Sequence, residues 1–404
     1  MTEVAPERAA DGADRILWTS TVAFTACFAV WTIFSIIGLG VKDELGLSET
    51  QFGLLVGTPI LTGSLSRVML GIWADQIGGR RVFALVMALA MLAYVILDGY
   101  DLGVGILLPN NNEQQRDTMI ASIGPFWDAN ETWLVLGVGV LLIAFPMAHG
   151  LVLQALYLPV AMMLIGLILR GVAFDFRVKA PLRYKLFWNR AFFAGSLMAS
   201  ASQGWMLGSY ITGFASGPLG WAFSLGIAIT LPAAYVLLGS GWLIMKTEGD
   251  LQQKAVRWAR LVLWPMAGAL LAISAATPLV KEGVLEKWFG VPQVFALLPV
   301  PLMCVLAFFA MRWVLTRPYL INAGYGWLVF ANTVLIFVLA FFGLAYSIFP
   351  DIVIGRMTVW EAAISTASLN VIFVGVAITL PVIIVYTVFM YRVFWGKATA
   401  LKYG

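Results

Sequence analysis

The stretch YVILDGYDLGVGILLP, residues 94–109, places two aspartates, Asp98 and Asp101, at the end of a long apolar run. A helix needs ~20 mostly apolar residues to cross a bilayer, and this run is long enough. Acids inside such helices are costly and mark polar paths or binding sites. Their spacing of three puts both acids on one helix face. The stretch predicts a membrane helix whose function needs buried carboxyl groups.

The composition extends this prediction to the whole chain. Of its 404 residues, 61% are hydrophobic and 11% are charged, and the mean hydropathy is +0.90. Soluble domains are nearer ~25% charged. The formal net charge of +4 is spread over connections between apolar stretches, which argues against a nucleic-acid surface. We therefore predict an all-α fold, a polytopic helical bundle in a lipid membrane.

Eleven apolar stretches are candidates for transmembrane helices. They are residues 16–41, 52–74, 82–108, 122–144, 149–170, 191–213, 219–245, 259–280, 293–316, 322–348 and 367–394. The first is too long for a signal-peptide core of roughly 7–15 residues, so we expect it to be retained. The weakest break is AFPMAHG, residues 144–150. If Pro146 only kinks one helix there, the number falls by one.

The distribution of Lys and Arg predicts the orientation, because basic connections stay in the cytoplasm. In an eleven-span chain, the basic segment at residues 176–190 falls on the same side as the C-terminal Arg392, Lys397 and Lys402. We expect this side to be cytoplasmic. The loop at residues 76–81 is then outside.

The inventory of metal-binding residues limits the cofactors. The chain has one histidine, His149, and its two cysteines, Cys27 and Cys304, lie in apolar runs. Haem, copper and zinc sites draw most often on imidazole, and one imidazole cannot build a multi-histidine redox centre. We expect no metal or cofactor bound by this chain alone, and we interpret His149 as a hydrogen-bonding interface residue rather than a ligand.

The segment SLSRVMLGIWADQIGGRRV, residues 64–82, lies between the second and third apolar stretches. Its spaced small and charged residues are Gly71, Asp75, Gly78, Arg80 and Arg81. This pattern resembles the helix 2–3 loop motif of the major facilitator superfamily, and the preceding residues 34–67 resemble nitrate/nitrite porters. In that loop the glycines would let two helices approach, and the acid and the arginines would lock the turn.

The porter resemblance implies an anion-binding role for Arg67, which occupies the position of the family's substrate arginine. A guanidinium suits a small planar oxyanion because it donates two parallel hydrogen bonds. The alternative is that Arg67 packs against a neighbouring carboxylate. The resemblance ends near residue 92, so residues 1–92 would form a partial facilitator-like segment of about 2.5 helices. A facilitator loop would be cytoplasmic, which conflicts with the side predicted from charge.

From residue 93 to residue 404 the chain resembles subunit II of the cytochrome bd-type quinol oxidases, most closely the cyanide-insensitive branch. Five motifs carry the resemblance in order: DGYDLGVG (98–105), MIASIGPFWDANETWLVL (119–136), LILRGVAFDFR (167–177), WLIMKTEGDLQ (242–252) and SLNVIFVGVAITLPVIIVYTVFMYRVFWGK (368–397). The family usually has Phe in place of Tyr100 and glycine in place of Ala129. The resemblance implies a bundle of about nine helices.

The same resemblance implies the function. This chain would be the non-haem subunit of an oxygen-reducing quinol oxidase in the bacterial inner (plasma) membrane. Its partner, a subunit I, would hold two b-type haems and haem d, oxidise quinol and reduce oxygen. This chain alone would not be catalytic, although a quinone could contact it. It would supply scaffold, a lateral surface for the partner and part of the access path for protons or oxygen.

The motif WDANETW, residues 127–133, lies where a polar connection enters the fourth apolar stretch. Acids at a helix start are stabilised by the helix dipole, by ~0.3–1 kcal/mol, which is one interpretation of Asp128 and Glu131. Asp98 and Asp101 face the same boundary, however, and carboxyl groups from adjacent helices also suit a proton entry path. Both interpretations stay open. The remaining motif residues are Trp127, Asn130 and Trp133.

Arg170 ends the apolar run at residues 151–169. A cation at a helix C-terminus complements the dipole and can reach the interface, so one interpretation is a boundary anchor. The resemblance favours instead a pair with an acid such as Asp128 inside the protein. The predicted polar network, whether a proton path or a structural element, comprises Asp98, Asp101, Asp128, Glu131 and Arg170.

Three hypotheses follow from the sequence. The first is the oxidase subunit, with which the single histidine agrees, because it leaves no means of binding three haems in this chain. The second is a nitrate/nitrite transporter that uses Arg67, but no second facilitator half follows. The third is a chimaera of the two families without either activity.

Overall fold

The computed structural model of the chain describes residue 48, residues 78–280 and residues 283–398. The predicted spans 16–41 and 52–74 lie outside these residues. The other nine predicted spans all fall on described helices. An all-α membrane bundle is therefore confirmed, whereas a total of eleven transmembrane helices is not.

The chain divides into two compact units. The larger consists of Arg80–Ser365 and Tyr386–Gly404, and the smaller of Met1–Gly79 and Thr366–Val385. All the contacts described below lie within the larger unit.

The described elements are mostly long helices. They are α1 (Gly79–Leu107), a 3-10 turn (Leu108–Asn110), α2 (Glu113–Ile123), α3 (Trp127–Ala144), α4 (Pro146–Lys179), α5 (Leu182–Ile211), α6 (Pro218–Lys246), α7 (Gly249–Val280), α8 (Val284–Phe289), α9 (Gln293–Leu297), α10 (Pro299–Leu315), a helical turn (Pro318–Leu320), a π-helical segment (Ile321–Tyr325), α11 (Trp327–Ile348), β1 (Asp351–Val353), β2 (Met357–Thr358), α12 (Val359–Ala362) and α13 (Thr366–Val393). The two strands form an antiparallel hairpin.

Among the described residues, eight helical segments are long and apolar enough to cross a membrane. They are α1, α3, α4, α6, α7, the joined α9 and α10, α11 and the C-terminal part of α13. α5 is also 30 residues long, but it is less apolar because it buries Ser196, Ser200, Ser202 and Gln203. It packs between α4 and α6 in the same bundle.

The break predicted near Pro146 separates two helices. α3 ends at Ala144, and α4 begins at Pro146, where proline is tolerated because a first-turn N–H would lack an intrahelical partner. The two helices run antiparallel, since Trp127 at the start of α3 packs against Phe174 near the end of α4.

Two predicted boundaries differ from the structure. The connection 108–122 contains a helix, α2, whose N-cap Asn112 accepts a hydrogen bond from the Gln115 backbone N–H at 2.8 Å. The stretch predicted at 259–280 begins earlier, at Gly249. Lys254 links these two segments, because its Nζ donates to Gln115 Oε1 at 2.6 Å and thereby joins the polar first turns of α7 to α2.

The larger unit has two chemically different ends. At one end, which we call the hairpin end, Arg81 at the start of α1 lies with its guanidinium 5.7 Å from the Trp360 ring centroid. The other, the basic end, carries Arg177, the 182–190 segment and Lys397. These ends are separated by the length of α1, whose 29 residues span about 43 Å at 1.5 Å per residue.

Candidate functional site

Arg170 lies inside the larger unit and joins acids from two other helices. Its Nη1 donates to Oδ1 of Asp98, on α1, at 2.6 Å, and its Nη2 donates to Oε1 of Glu131, on α3. The side chains of Arg170 and Asp98 are 2% and 1% exposed, whereas that of Glu131 is 32% exposed. The guanidinium therefore connects a fully buried acid to an acid that reaches the surface. We call these three residues the Arg170 cluster.

Asp128 lies in the first turn of α3, where the dipole stabilises an acid. Arg170 does pair inside the protein, but its ion-pair partners in the described part of the chain are Asp98 and Glu131, so the expected pair with Asp128 is wrong. The reason is depth along α3. Asp128 is exposed and interacts with the like charge of Asp175, whereas Glu131 lies almost one turn deeper and reaches the guanidinium.

Asp101 is also fully buried, and neutral polar groups hold it. Asn130 Nδ2 donates to Asp101 Oδ2 and to the Tyr100 hydroxyl, both at 2.8 Å. The Tyr391 hydroxyl, from α13, donates to Asn130 Oδ1 at 3.1 Å and lies 2.6 Å from the Tyr100 hydroxyl. The Asn130 amide, itself buried, thus ties the acid on α1 to α3 and α13.

The charge balance of this region decides what it can do chemically. Among the described residues, the carboxyl groups of Asp98, Asp101 and Glu131 interact with one nearby cation, the Arg170 guanidinium. A buried excess of carboxylate is unfavourable, and binding a proton relieves it. The region therefore has the composition needed to take up and release protons.

The two motif tryptophans fix α3 on either side. The Trp127 ring packs against Phe174 of α4, with centroids 5.2 Å apart. Trp133 Nε1 donates to Thr387 Oγ1 of α13 at 3.2 Å. These contacts hold the helix that carries Asn130 and Glu131, which makes them positioning rather than reacting groups.

Gly99, between the two buried acids, is needed for the close packing of α1 against α6. A Cβ added to Gly99 would lie 2.8 Å from the Tyr235 ring of α6, closer than real side-chain carbons approach. The missing side chain lets Tyr235 pack directly on α1 beside Asp98. The DGYD motif thus places two acids on one face of α1 and leaves the space that α6 needs for Tyr235.

Several polar residues of this region were not predicted from the sequence. They are Tyr94, Gln203, Tyr235 and Tyr391, of which the first three form a hydrogen-bonded chain. Each is a polar side chain inside an apolar run, and that signal indicates a buried partner. The identity of the partner depends on how helices distant in sequence pack.

A second buried arginine, Arg177, lies two helical turns further along α4. Its Nε donates to Asn189 Oδ1 at 2.5 Å, and its Nη1 lies 2.7 Å from Asp117 Oδ1. Its Nη2 lies 3.3 Å from Glu113 Oε2. Both acids belong to α2 and are substantially exposed, by 50% for Asp117 and 38% for Glu113. This Arg177 cluster joins α2, α4 and α5 at the basic end.

The described residues do not supply the donor side chains that a haem or a metal ion needs. His149, the single histidine, is half-buried in the first turn of α4, which starts at the hairpin end. Among the described residues, no three His, Cys, Asp or Glu side chains are arranged to hold a metal ion. The acids of the Arg170 cluster are occupied by a guanidinium instead.

The facilitator-like residues are only partly described. Arg67, Gly71 and Asp75 lie outside the described residues. Gly78 has a φ of +85°, in the left-handed region that favours glycine, and α1 begins at the next residue. Arg80 and Arg81 fall in the first turn of α1, at the hairpin end.

Comparison with protein families gives two matches along the chain. The model of the cytochrome bd terminal oxidase subunit II family matches residues 79–394, and that of the Major Facilitator Superfamily matches residues 19–108. The two ranges overlap on α1. The predicted boundary between residues 92 and 93 lies inside this overlap.

Individual relatives likewise fall into two groups, oxidase subunits and nitrate/nitrite transporters. The chain is 25% identical over 375 residues to the cytochrome bd-I ubiquinol oxidase subunit 2 of Escherichia coli (strain K12), covering 79% of this chain and 95% of that protein. It is 31% identical over 207 residues to the Bacillus subtilis cytochrome bd ubiquinol oxidase subunit 2, covering 47% of this chain and 60% of that one. The probable nitrate/nitrite antiporter NarK1 of Thermus thermophilus is 45% identical over 83 residues, which are 20% of this chain and 19% of the antiporter.

The fold is also that of a solved structure. The bd oxidase from Geobacillus thermodenitrificans contains a chain that matches with a TM-score of 0.61 at 17% identity, covering 79% of this chain and 99% of that one. The helical bundle, the order of the motifs and the family match over most of the chain agree. The chain belongs to the cytochrome bd terminal oxidase subunit II family, and its function is that of a subunit of a bd-type quinol oxidase.

Proposed function

We propose that this chain carries protons toward the oxygen-reducing site of the oxidase, and that the site itself lies on a haem-bearing subunit I. The Arg170 cluster, together with Asp101 and Asn130, is the conducting element. The observation that supports this role most directly is the bridge from half-exposed Glu131 through Arg170 to buried Asp98. Ionisable side chains inside a membrane bundle usually belong to such paths.

The proposed path has three stages of increasing burial. A proton arrives at the exposed Asp128 carboxylate in the first turn of α3 and passes to Glu131, three residues further into the same helix. The Arg170 guanidinium holds Glu131 and Asp98 on its two nitrogens, so the carboxyl oxygens of both acids face one another across it. Asp101 lies one turn from Asp98 toward the basic end of α1, and it takes the proton at a second fully buried carboxyl group.

The path opens at the basic end of the larger unit. Arg177, Arg190 and Lys254 lie there, as does Lys397 near the C-terminus, and the positive-inside rule assigns such an end to the cytoplasm. Asp128 is then supplied from the cytoplasm, and the C-terminus is cytoplasmic. The hairpin end, with Arg81, faces outward.

Redox chemistry in this proposal belongs to the partner. Haems b and d on subunit I would oxidise quinol and reduce oxygen, because this chain lacks the imidazoles to hold them. This chain's residues hold and move protons at carboxyl oxygens, fix the helices that carry those oxygens and exclude bulk water from them.

Replacing the two acids at either end of the path tests the proposal. We expect Asp101→Asn and Asp128→Asn to slow quinol-dependent oxygen consumption per haem d by about tenfold or more, because a positioned proton-transfer group contributes about 100-fold to 10,000-fold in rate. Haem content should stay intact. The measurement uses the complex purified after co-expression with a subunit I.

The matched control is Asp250→Asn. Asp250 is an exposed acid in the first turn of α7 at the same end of the unit, but it lies outside the cluster. Wild-type turnover in the two path variants would refute a proton role, and so would an equal loss in Asp250→Asn.

A second candidate function concerns the N-terminal segment alone, because its match to a nitrate/nitrite antiporter is the most identical of those given above. The proposal is that Arg67 retains affinity for a small planar oxyanion. Nitrate uptake into proteoliposomes that contain the purified complex, compared with Arg67→Gln, tests it. Uptake that does not depend on Arg67 would refute it.

A further inference from the structure

Three buried polar side chains cross the bundle beside the Arg170 cluster. The Tyr235 hydroxyl of α6 donates to Gln203 Oε1 of α5 at 2.6 Å. Gln203 Nε2 donates to the Tyr94 hydroxyl of α1 at 2.8 Å. Tyr94 and Tyr235 are 2% and 0% exposed, and Gln203 is 9% exposed. The chain therefore runs through three helices without access to bulk water.

The carboxylate of Asp98 lies at the Tyr94 end of this chain. Tyr94 precedes Asp98 by one helical turn on α1, so both side chains lie on one face, and they interact electrostatically. Arg170 occupies Oδ1 of Asp98. The other oxygen, Oδ2, is buried and receives no hydrogen bond from the described residues.

The chemistry of an amide gives the chain a direction. Oε1 of Gln203 can only accept, and Nε2 can only donate. With Nε2 donating to the Tyr94 oxygen, the proton of the Tyr94 hydroxyl is left for Asp98. In the reversed amide orientation the Tyr94 proton would point to Gln203, and its oxygen lone pairs would face the carboxylate. The Asp98 charge thus favours the orientation in which all three donors point toward Asp98.

We propose that Tyr235, Gln203 and Tyr94 form a one-way hydrogen-bond chain that ends on Oδ2 of Asp98 and holds this carboxylate ready for proton transfer. Gln203 is the positioning residue, because its amide sets the direction of the chain. The proposal deepens and rests on the proposed proton role of Asp98. It assigns a role to α5 and α6, which carry no part of the Arg170 cluster.

The packing around Tyr235 fixes the position of its ring beside α1. Gly99 leaves the space that the Tyr235 ring fills, and Tyr235 also stacks on Phe337 of α11, with centroids 6.1 Å apart and planes inclined by 14°. The ring is fixed on both faces, so its hydroxyl reaches Gln203 in one position.

The test combines turnover with infrared difference spectroscopy on the purified complex. Gln203→Leu removes both hydrogen bonds at similar size, and Tyr94→Phe removes the last donor by deleting one oxygen. We expect Tyr94→Phe to lower turnover per haem d by about tenfold, the loss that follows from one hydrogen bond to a charged group. Gln203→Leu should lower turnover by no more than this, because it acts only by releasing the Tyr94 hydroxyl from its fixed direction. The double variant should be no slower than the slower single variant, because both act through one donor on Asp98.

The spectroscopic readout does not depend on activity. The carboxyl band of Asp98, assigned by its loss in Asp98→Asn, should shift in Gln203→Leu and in Tyr94→Phe. Ser200→Ala is the matched control, because Ser200 is buried on the same helix and donates only to α5 backbone carbonyls. Its band and turnover should equal those of the wild type.

An unshifted band in both single variants would overturn the proposal, and so would turnover losses that multiply in the double variant. If Gln203→Leu fails to assemble, Tyr94→Phe decides the question alone. Wild-type turnover in Asp98→Asn would instead refute the proton role, while a shifted band would still support the chain.

Discussion

Two arginines of α4, two helical turns apart, are buried to the same 2% but lie in different surroundings. Arg170 pairs with Asp98, whose side chain is 1% exposed, and with Glu131. Arg177 pairs with Asp117 and Glu113, both of which are open to water. The two arginines therefore differ in the accessibility of their partners and not in their own burial. We propose that this difference distinguishes a proton-handling cluster from one that fastens helices together.

The largest expected effect, on assembly of the complex, comes from removing the Arg170 guanidinium. Arg170→Gln leaves Asp98 buried without a counter-charge, and breaking a buried pair in this way costs about 3–5 kcal/mol. We expect little assembled complex, measured as haem d recovered per amount of this chain. Adding Asp98→Asn should restore assembly but not turnover. Normal assembly of the single variant would show that the cluster is less isolated from water than its burial indicates.

The next largest effect is expected from overfilling the packed region beside Asp98. Gly99→Ala puts a Cβ 2.8 Å from the Tyr235 ring, and overpacking of this kind costs about 1–3 kcal/mol. Gly171→Ala, on α4 between the two arginines, is the matched change, because its Cβ would meet the Trp127 ring at an ordinary 3.7 Å. Thermal unfolding of the purified complex should show a lower midpoint for the first variant only. Equal midpoints would contradict tight packing beside Asp98.

The smallest effect is expected at the outer arginine. Arg177→Gln removes a cation whose acidic partners can be hydrated, so we expect a loss of about 1 kcal/mol. Turnover per haem d should equal that of the wild type. A turnover loss as large as in the path variants would remove the distinction between the two clusters.

Much of the fold could be predicted from the sequence, because span length and hydropathy are local properties. A weak break between two spans was predicted at residues 144–150, with a kink at Pro146 as the alternative, and α4 begins at Pro146. The start of α7 was placed too late, because its first turns carry charges that pack against α2. Hydropathy does not report such tertiary contacts.

The site was predictable in composition but not in pairing. Asp128 and Glu131 stand three residues apart on one helix face, so the sequence did not show which of them reaches Arg170. The depth at which α3 crosses α4 decides it. Gln203 and Tyr235 meet Tyr94 only through the packing of α5 and α6 on α1, and no local pattern encodes this.

One pair of matched variants tests the central claim most directly. Glu131 and Glu113 are both half-exposed glutamates that pair with a buried arginine of α4, the first with Arg170 and the second with Arg177. Glutamine keeps the shape of each side chain and removes its ability to carry a proton. We predict that Glu131→Gln lowers quinol-dependent oxygen consumption per haem d by about tenfold or more, while Glu113→Gln leaves it unchanged. Equal rates in the two variants would contradict a proton path through the Arg170 cluster.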